Sequence, residues 1–299
     1  MPSADVTSPA ELIVDSAGVR VGVLDWGACG DGGRDDGGHA GTPLLLLHPN
    51  GFCAGLFDPL ARRLAADGTF RPVGVDLRGH GASEKPSDLV SYGFELMARD
   101  AIAALDALGI DECVGLGQSL GGAVMVLMDK LRPGMFQRML LCEAVAFPME
   151  RFIPTPNPMA AIARKRRAIW PDRATMRESY GARPPLNELA PEALDAYLRW
   201  GVVDRDDGQV ELACPVESEA MIFEISPSPV GAIEAWDHLS SLRADVVVIT
   251  GNSSNLPAIY FAQQAEQARG LHIPVEGGHF MVQSDTRRAV GWVEEYLSI

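Results

Sequence analysis

Ser119 stands at the centre of a G-x-S-x-G pattern over residues 117–121, a pattern that can make a serine nucleophilic. An apolar run at 113–116 precedes it, and a run with helical character follows from residue 123. A strand, a turn and a helix in this order predict a sharp turn whose glycines avoid a Cβ clash and whose serine side chain projects outward. The free N–H groups at the start of the helix would stabilise an oxyanion. The pattern therefore predicts acyl transfer through Ser119.

A serine is a poor nucleophile at neutral pH unless a base accepts its proton. His279 is the best candidate base, because it follows two glycines in a short loop after the strand-like residues 271–275. His39 lies in a segment rich in glycine and aspartate, and His238 and His272 have no motif around them. We therefore expect His279 to be the base that activates the serine.

Three further segments occur in a recognisable order along the chain. An all-leucine run ends in H-P-N-G-F at 48–52, D-L-R-G-H-G-A-S follows at 76–83, and G-G-H-F lies at 277–280. Together with the serine pattern, these segments resemble the α/β-hydrolase fold family over residues 43–147 and 244–298. The middle of the chain shares no recognisable signature with that family.

The resemblance implies an α/β fold with a mostly parallel, eight-stranded sheet flanked by helices. Residues 1–147 and 230–299 would form the core, and the proline-dense residues 148–229 would form an inserted, mainly helical cap over the active site. The alternation of strand-like and helix-like segments agrees with such a sheet, and 299 residues with 47% hydrophobic content are enough to bury its core.

The catalytic acid departs from the family pattern. Family members usually carry an aspartate as G-x-x-D after the strand that ends here at Gly251, but this position holds Ser254. Glu143 is the only charge in the apolar run 139–145 and lies at its carboxyl end, where catalytic groups of parallel sheets gather. We therefore expect a triad of Ser119, Glu143 and His279, with a structural ion pair between Glu143 and Arg151 as the alternative.

The resemblance also implies an oxyanion hole built from the backbone N–H groups of Leu120 and Asn50. Pro49 has no N–H, which favours Asn50 and leaves Gly51 as a second possibility. His80 would have a structural or gating role, and the basic run 164–167 would be a solvated helix face. We expect an apolar pocket under the cap, and its predicted substrate contacts are His48, Gly51, Phe52, Phe147, Met149 and Trp170.

The composition of the chain limits the kinds of molecule that we expect it to bind. The net charge of −15 argues against nucleic acid and anionic membranes, and no apolar run is long enough to span a bilayer. Residues 1–16 lack the basic and apolar regions of a signal peptide, and five cysteines without metal-ligand spacing suggest reduced thiols, so we expect a cytoplasmic protein. No sequence motif indicates a metal or an organic cofactor. A homodimer is left open.

The sequence therefore predicts a serine hydrolase that cleaves a carboxylic ester or lactone of a hydrophobic small molecule. A carbon–carbon bond hydrolase or a thioesterase would use the same residues, and a cofactor-free oxygenase would need a similar histidine–acid pair. A non-catalytic ligand-binding protein of the same fold is a further alternative. The serine at 119 argues against epoxide hydrolases and haloalkane dehalogenases of this fold, which use an aspartate nucleophile.

Overall fold

The computed structural model describes residues 8–27, 41–148 and 157–299. An eight-stranded sheet with the strand order β1-β2-β4-β3-β5-β6-β10-β11 is its centre, and every neighbouring pair is parallel except the two that involve β2. This confirms the predicted mostly parallel sheet of eight strands. The strands of the chain are β1 (Ala10–Ser16), β2 (Val19–Asp25), β3 (Thr42–Leu47), β4 (Phe70–Val75), β5 (Cys113–Gln118), β6 (Phe136–Cys142), β7 (Ile169–Trp170), β8 (Val202–Asp204), β9 (Val210–Leu212), β10 (Asp245–Gly251) and β11 (Leu271–Val275).

Helices cover both faces of this sheet, which is why its central strands are mostly apolar. In β3, Leu45 and Leu47 pack into the apolar cluster on one face, while Leu44 and Leu46 pack into the cluster on the other. The helices are α1 (Asp58–Ala65), α2 (Phe94–Ala107), α3 (Leu120–Leu131), α4 (Pro158–Arg164), α5 (Arg173–Gly181), α6 (Pro191–Trp200), α7 (Val216–Ile225), α8 (Ala232–His238), α9 (Ala258–Gln267), α10 (Met281–Ser284) and α11 (Thr286–Leu297).

Two element boundaries have clear physical reasons. β6 ends at Cys142, because Glu143 adopts a φ of +47° and leaves the extended conformation. α10 and α11 are separate helices. Asp285 separates them with φ −146° and ψ 86°, and its side chain caps α11 by accepting a hydrogen bond from the Arg288 N–H.

Residues 157–229, called the cap segment below, contain α4 to α7 and a small antiparallel sheet with the order β7-β9-β8. Sequence patterns indicated short helices here but not these three strands, which are only two or three residues long. An apolar cluster joins this cap segment to the core. Its cap members include Trp170, Met176 and Tyr197, and it takes in Phe52 after β3 and Phe280 beside His279. The cap segment therefore packs on the loops at the carboxyl ends of the strands.

None of the described helices is both long enough and apolar enough to cross a membrane.

Gly121 is required where the first turn of α3 meets the end of β3. A Cβ at this position would lie 2.2 Å from the Leu47 carbonyl oxygen. We expect Gly121→Ala to lower the free energy of unfolding by about 2 kcal/mol or more through overpacking, measured by urea denaturation.

Gly291 in the middle of α11 is the matched control, since a Cβ there would meet nothing within 4 Å. Gly291→Ala should raise the free energy of unfolding by about 0.5–1 kcal/mol through helix propensity. Equal effects of the two substitutions would contradict this account of the packing between α3 and β3.

Candidate active site

Ser119 lies on the sharp turn between β5 and α3, with φ +56° and ψ −116°. Few non-glycine residues adopt this conformation, and surrounding structure has to enforce it. Close packing at the flanking glycines does so: a Cβ on Gly117 would lie 2.7 Å from the Gly122 Cα, and one on Gly122 would lie 2.6 Å from the Ala144 Cβ. The sequence context therefore folds into a strained turn at the carboxyl end of the central strands.

Glu143 follows β6 immediately, and its side chain is completely buried. Its carboxylate accepts hydrogen bonds from the Gly251 N–H at 2.9 Å, the Ser254 hydroxyl at 2.8 Å and His279 Nδ1 at 2.6 Å. A buried carboxylate is tolerated only when its oxygens are satisfied in this way. Ser254, which occupies the family's usual acid position, thus donates a hydrogen bond to Glu143. Arg151, the alternative partner, lies outside the described residues.

His279 follows β11, and about a quarter of its side chain (26%) is exposed. Because an ionised carboxylate can only accept hydrogen bonds, the short contact with Glu143 assigns the proton of the neutral imidazole to Nδ1. The lone pair of Nε2 is then available to accept a proton. Among the hydrogen bonds of the described residues, none joins Ser119 Oγ to His279, and such catalytic contacts often form only when substrate binds.

Gln118 and Gln283 hold the His279 loop in place, and sequence reasoning did not identify either of them. The Gln118 side chain is completely buried and donates from Nε2 to the His279 carbonyl at 2.8 Å. Its Oε1 accepts a hydrogen bond from Gln283 Nε2 at 2.7 Å. A buried amide is therefore committed on both sides, which fixes the backbone of the histidine relative to the serine turn. The signal in the sequence that could have identified Gln118 is that it is a single amide at the end of an otherwise apolar strand.

The loop after β3 supplies the second predicted oxyanion donor. The Gly51 N–H donates to His80 Nε2 at 3.0 Å, so this amide is already committed. The backbone N–H of Asn50 and that of Leu120, the first residue of α3, donate to no acceptor in the part of the chain that the structure describes. This leaves Asn50 and Leu120 as the pair with free N–H groups.

His48 and His80 are both fully buried and both hold this loop. His48 Nε2 accepts from the Leu77 N–H at 3.0 Å and its Nδ1 lies 2.9 Å from the Pro49 carbonyl, while His80 Nδ1 lies 3.2 Å from the carbonyls of Leu77 and Arg78. Burial lowers the pKa of His48, and it lowers the pKa of His80 well below the usual value. The hydrogen bonds of His48 thus orient the loop, and its contact with a substrate stays a prediction.

The other predicted substrate contacts lie in different surroundings. Phe52 is 7% exposed and packs between Tyr197 and Phe280, with ring centroids 4.9 and 5.1 Å away. Trp170 is buried in the cap cluster, and half-buried Phe147 packs against the rings of Tyr260 and Phe261. Met149 lies outside the described residues. Phe52 is therefore the predicted contact that lies beside both the cap and the histidine loop.

The expectation of a solvated basic helix face at 164–167 is wrong in two respects, because α4 ends at Arg164 and Arg166 is largely removed from solvent. Arg164, Lys165 and Arg167 are exposed, but Arg166 forms an ion pair with Glu219 in which the side chains are only 22% and 9% exposed. No group of three or more His, Cys, Asp or Glu side chains that could hold a metal occurs among the described residues.

Comparisons with known proteins identify a matching family and several relatives. The model of the Alpha/beta hydrolase family matches residues 44–291. Mouse (Mus musculus) "Epoxide hydrolase 4" is 31% identical over 104 residues, which are 35% of this chain and 29% of that protein. "2-Hydroxymuconate semialdehyde hydrolase" of Pseudomonas putida is 31% identical over 117 residues, which are 38% of this chain and 41% of that protein. The chain thus spans less than half the length of these curated relatives.

Among solved structures, the "Thioesterase Domain From Curacin Biosynthetic Pathway" superposes with a TM-score of 0.76 at 18% identity, covering 97% of this chain and all of that one. At this level of identity the likeness shows the shared fold.

The two buried histidines predict a pH-dependent stability. Because the folded pKa of each is lowered, the unfolded chain binds more protons below the usual histidine pKa of about 6.5. Their contribution is complete above about pH 6.5 and is lost as the pH falls toward the lowered folded pKa values. We expect the free energy of unfolding to fall by up to about 2.7 kcal/mol per pH unit between pH 6.5 and 5.

Urea denaturation across this range measures the effect, and His80→Gln should reduce the slope to about half by removing one of the two protons. A free energy of unfolding that is constant between pH 7 and 5 would contradict the neutral, buried state of both rings.

Proposed function

This chain belongs to the alpha/beta hydrolase family, and we propose that it is a serine hydrolase that cleaves a carboxylic ester or lactone of a hydrophobic small molecule. The proposal assigns Ser119 as nucleophile, His279 as general base and Glu143 as the acid of the triad. The observation that carries it is the hydrogen bond of 2.6 Å between His279 Nδ1 and the buried carboxylate of Glu143, beside a serine held in a strained turn.

In the proposed mechanism, His279 Nε2 accepts the proton of Ser119 as the hydroxyl oxygen attacks the substrate carbonyl. Glu143 stabilises the imidazolium that forms and holds the ring in the required tautomer. The N–H groups of Leu120 and Asn50 stabilise the tetrahedral oxyanion. The leaving alkoxide takes the proton from His279, and water then hydrolyses the acyl-enzyme by the same route in reverse.

The surroundings of the histidine support an apolar substrate. Phe280 follows His279 directly and packs on Phe52, and both belong to the apolar cluster that joins the cap to the core. A hydrophobic acyl or lactone ring placed there would be removed from water at a gain of about 25 cal/mol per Å² of apolar area.

Carbon–carbon bond cleavage is the second candidate, and the similarity to a 2-hydroxymuconate semialdehyde hydrolase favours it. The similarity to an epoxide hydrolase does not extend to the nucleophile that we expect for that activity, because residue 119 is serine. Product analysis separates the two candidates, since an ester or lactone yields an alcohol and an acid, whereas a carbon–carbon hydrolase yields an acid and a product with a new C–H bond.

Labelling with a fluorophosphonate probe tests the nucleophile directly. We expect wild type to be labelled, Ser119→Ala to show no labelling, and His279→Ala to be labelled at least about a hundredfold more slowly, because general base catalysis contributes that much. Hydrolysis of p-nitrophenyl butyrate and of medium-chain lactones should follow the same order. A folded wild type that neither reacts with the probe nor hydrolyses any member of this panel would favour a non-catalytic ligand-binding role.

The position of the acid gives a second prediction. Glu143→Gln should lower the rate of p-nitrophenyl butyrate hydrolysis by about 10³- to 10⁴-fold, because the amide no longer fixes the tautomer or balances the imidazolium charge. Ser254→Ala should lower it by less than about tenfold, since Glu143 keeps its bonds to Gly251 and His279.

Because Ser254 Oγ lies 2.8 Å from the same Glu143 oxygen that contacts His279, we expect a carboxylate at residue 254 to reach this histidine. The double variant Glu143→Ala, Ser254→Asp should therefore recover at least about tenfold of the activity lost in Glu143→Ala, since a restored carboxylate again balances the imidazolium. Equal rates for Glu143→Gln and wild type would rule out Glu143 as the triad acid.

A further inference from the structure

Hydrogen bonds with the cap segment hold the loop that carries Asn50. Asn50 Nδ2 donates to the backbone carbonyl of Glu219 in α7 at 3.0 Å. The Tyr197 hydroxyl in α6 lies 3.4 Å from the Gly51 carbonyl, to which it donates. Two cap helices therefore contact the residue whose N–H is the proposed oxyanion donor and the residue that follows it.

A buried ion pair fixes the cap side of these contacts. Arg166 donates from Nη1 to the Glu219 carboxylate, and from Nη2 to the hydroxyls of Tyr197 at 3.3 Å and Tyr180 at 3.4 Å. The pair is mostly removed from solvent, so that loss of either partner leaves an uncompensated charge. The same glutamate thus uses its side chain to hold Arg166 and its backbone carbonyl to hold Asn50.

This pair also packs directly on the loop. Gly51 has a φ of +81°, and a Cβ there would lie 2.8 Å from Glu219 Cδ and 3.1 Å from Arg166 Nη1. The loop conformation and the ion pair therefore depend on each other, because neither leaves room for the other to move.

We propose that Glu219 and Arg166 are positioning residues of the oxyanion hole, which is complete only while the cap is seated on the loop that carries Asn50. The proposal rests on the proposed hydrolase function. An oxyanion donor acts only when its N–H points at the charge that develops in the transition state, so a small rotation of the loop costs rate and leaves substrate binding nearly unchanged. When the cap segment packs on this loop, it therefore encloses the substrate and at the same time orients the N–H groups of the oxyanion hole.

The pairing has a consequence for specificity as well. Glu219 neutralises Arg166 where the cap meets the loop, so this part of the site presents no net charge to a bound molecule. Such a surface suits an uncharged ester or lactone.

Steady-state hydrolysis of p-nitrophenyl butyrate by Glu219→Gln and Asn50→Ala tests the coupling. Each variant should lower kcat by about tenfold to a hundredfold, less than the complete loss of a donor, and should leave KM within about twofold of wild type. Because Asn50→Ala keeps the backbone N–H and leaves no charge buried, it remains decisive if Glu219→Gln folds poorly. The double variant should be no more than about threefold slower than the slower single variant, because both act through the same contact.

Arg164→Met is the matched control. Arg164, the last residue of α4, joins that helix to α7 through partly exposed ion pairs with Glu217 and Glu224, so its loss should leave kcat and KM unchanged. Hydrogen exchange supplies a readout that needs no activity: the amides of residues 50–53 should exchange faster in Glu219→Gln and not in Arg164→Met.

The outcomes are distinct. An active wild type with unchanged kcat in both Glu219→Gln and Asn50→Ala overturns the positioning role and leaves the hydrolase proposal standing. If the decrease in kcat of the double variant equals the product of the two single decreases, Glu219 and Asn50 act independently, and the proposal that they act through one contact is overturned. An unreactive wild type overturns the hydrolase function, and in that case faster exchange at residues 50–53 still supports control of the loop by the cap, whereas unchanged exchange overturns it.

Discussion

The buried carboxylate of Glu143 is the constraint around which this site is built. A carboxylate with no exposed surface is tolerated only if its oxygens receive donors, and those donors come from the ends of two other strand–loop units. Gly251 terminates β10, and His279 follows β11, so the sheet must be assembled before the charge is satisfied. The same hydrogen bonds that make the burial possible also orient the histidine. The hydrogen bonds that the core needs in order to bury Glu143 are thus the same ones that set the geometry of the site.

The strand order explains how a carboxylate that follows β6, the proposed triad acid, contacts the histidine. β6 and β10 are parallel neighbours, with Cys142 paired to Ile249, so the loops after them begin at the same edge of the sheet. A carboxylate placed after either strand can approach a histidine that follows β11. In this chain the carboxylate follows β6, and Ser254 in the loop after β10 donates a hydrogen bond to it. The fold therefore offers two neighbouring places for a carboxylate near this histidine, and in this chain Glu143 makes the contact.

Attachment of the cap combines two kinds of contact with different consequences. Apolar packing of Phe52 and Phe280 with the cap cluster excludes water but specifies orientation only weakly. The polar contacts of Glu219 and Tyr197 with Asn50 and Gly51 specify the orientation of the loop, because hydrogen bonds are directional. Their position beside the free Asn50 N–H connects the placement of the cap with the chemistry that we propose for the core.

The sequence by itself determined the class of fold and the serine turn. The alternation of strand-like and helix-like segments predicted a mostly parallel sheet, and the resemblance carried by the order of the motifs implied the eight strands that the structure has. The sequence also singled out Glu143, because it is the only charge in the apolar run 139–145 and because Ser254 stands where the family usually has its acid. The hydrogen bonds that Gly251 and Ser254 donate to its carboxylate, the two glutamines behind His279 and the burial of Arg166 were decided only by the tertiary structure. Each of these contacts joins residues that are far apart in the chain, and local periodicity carries no information about which distant side chains meet.

The ion pair between Arg166 and Glu219 shows this best. Arg166 stands in a run of basic residues that predicts a solvated surface, and only the packing of α7 against the end of α4 buries its charge beside Gly51.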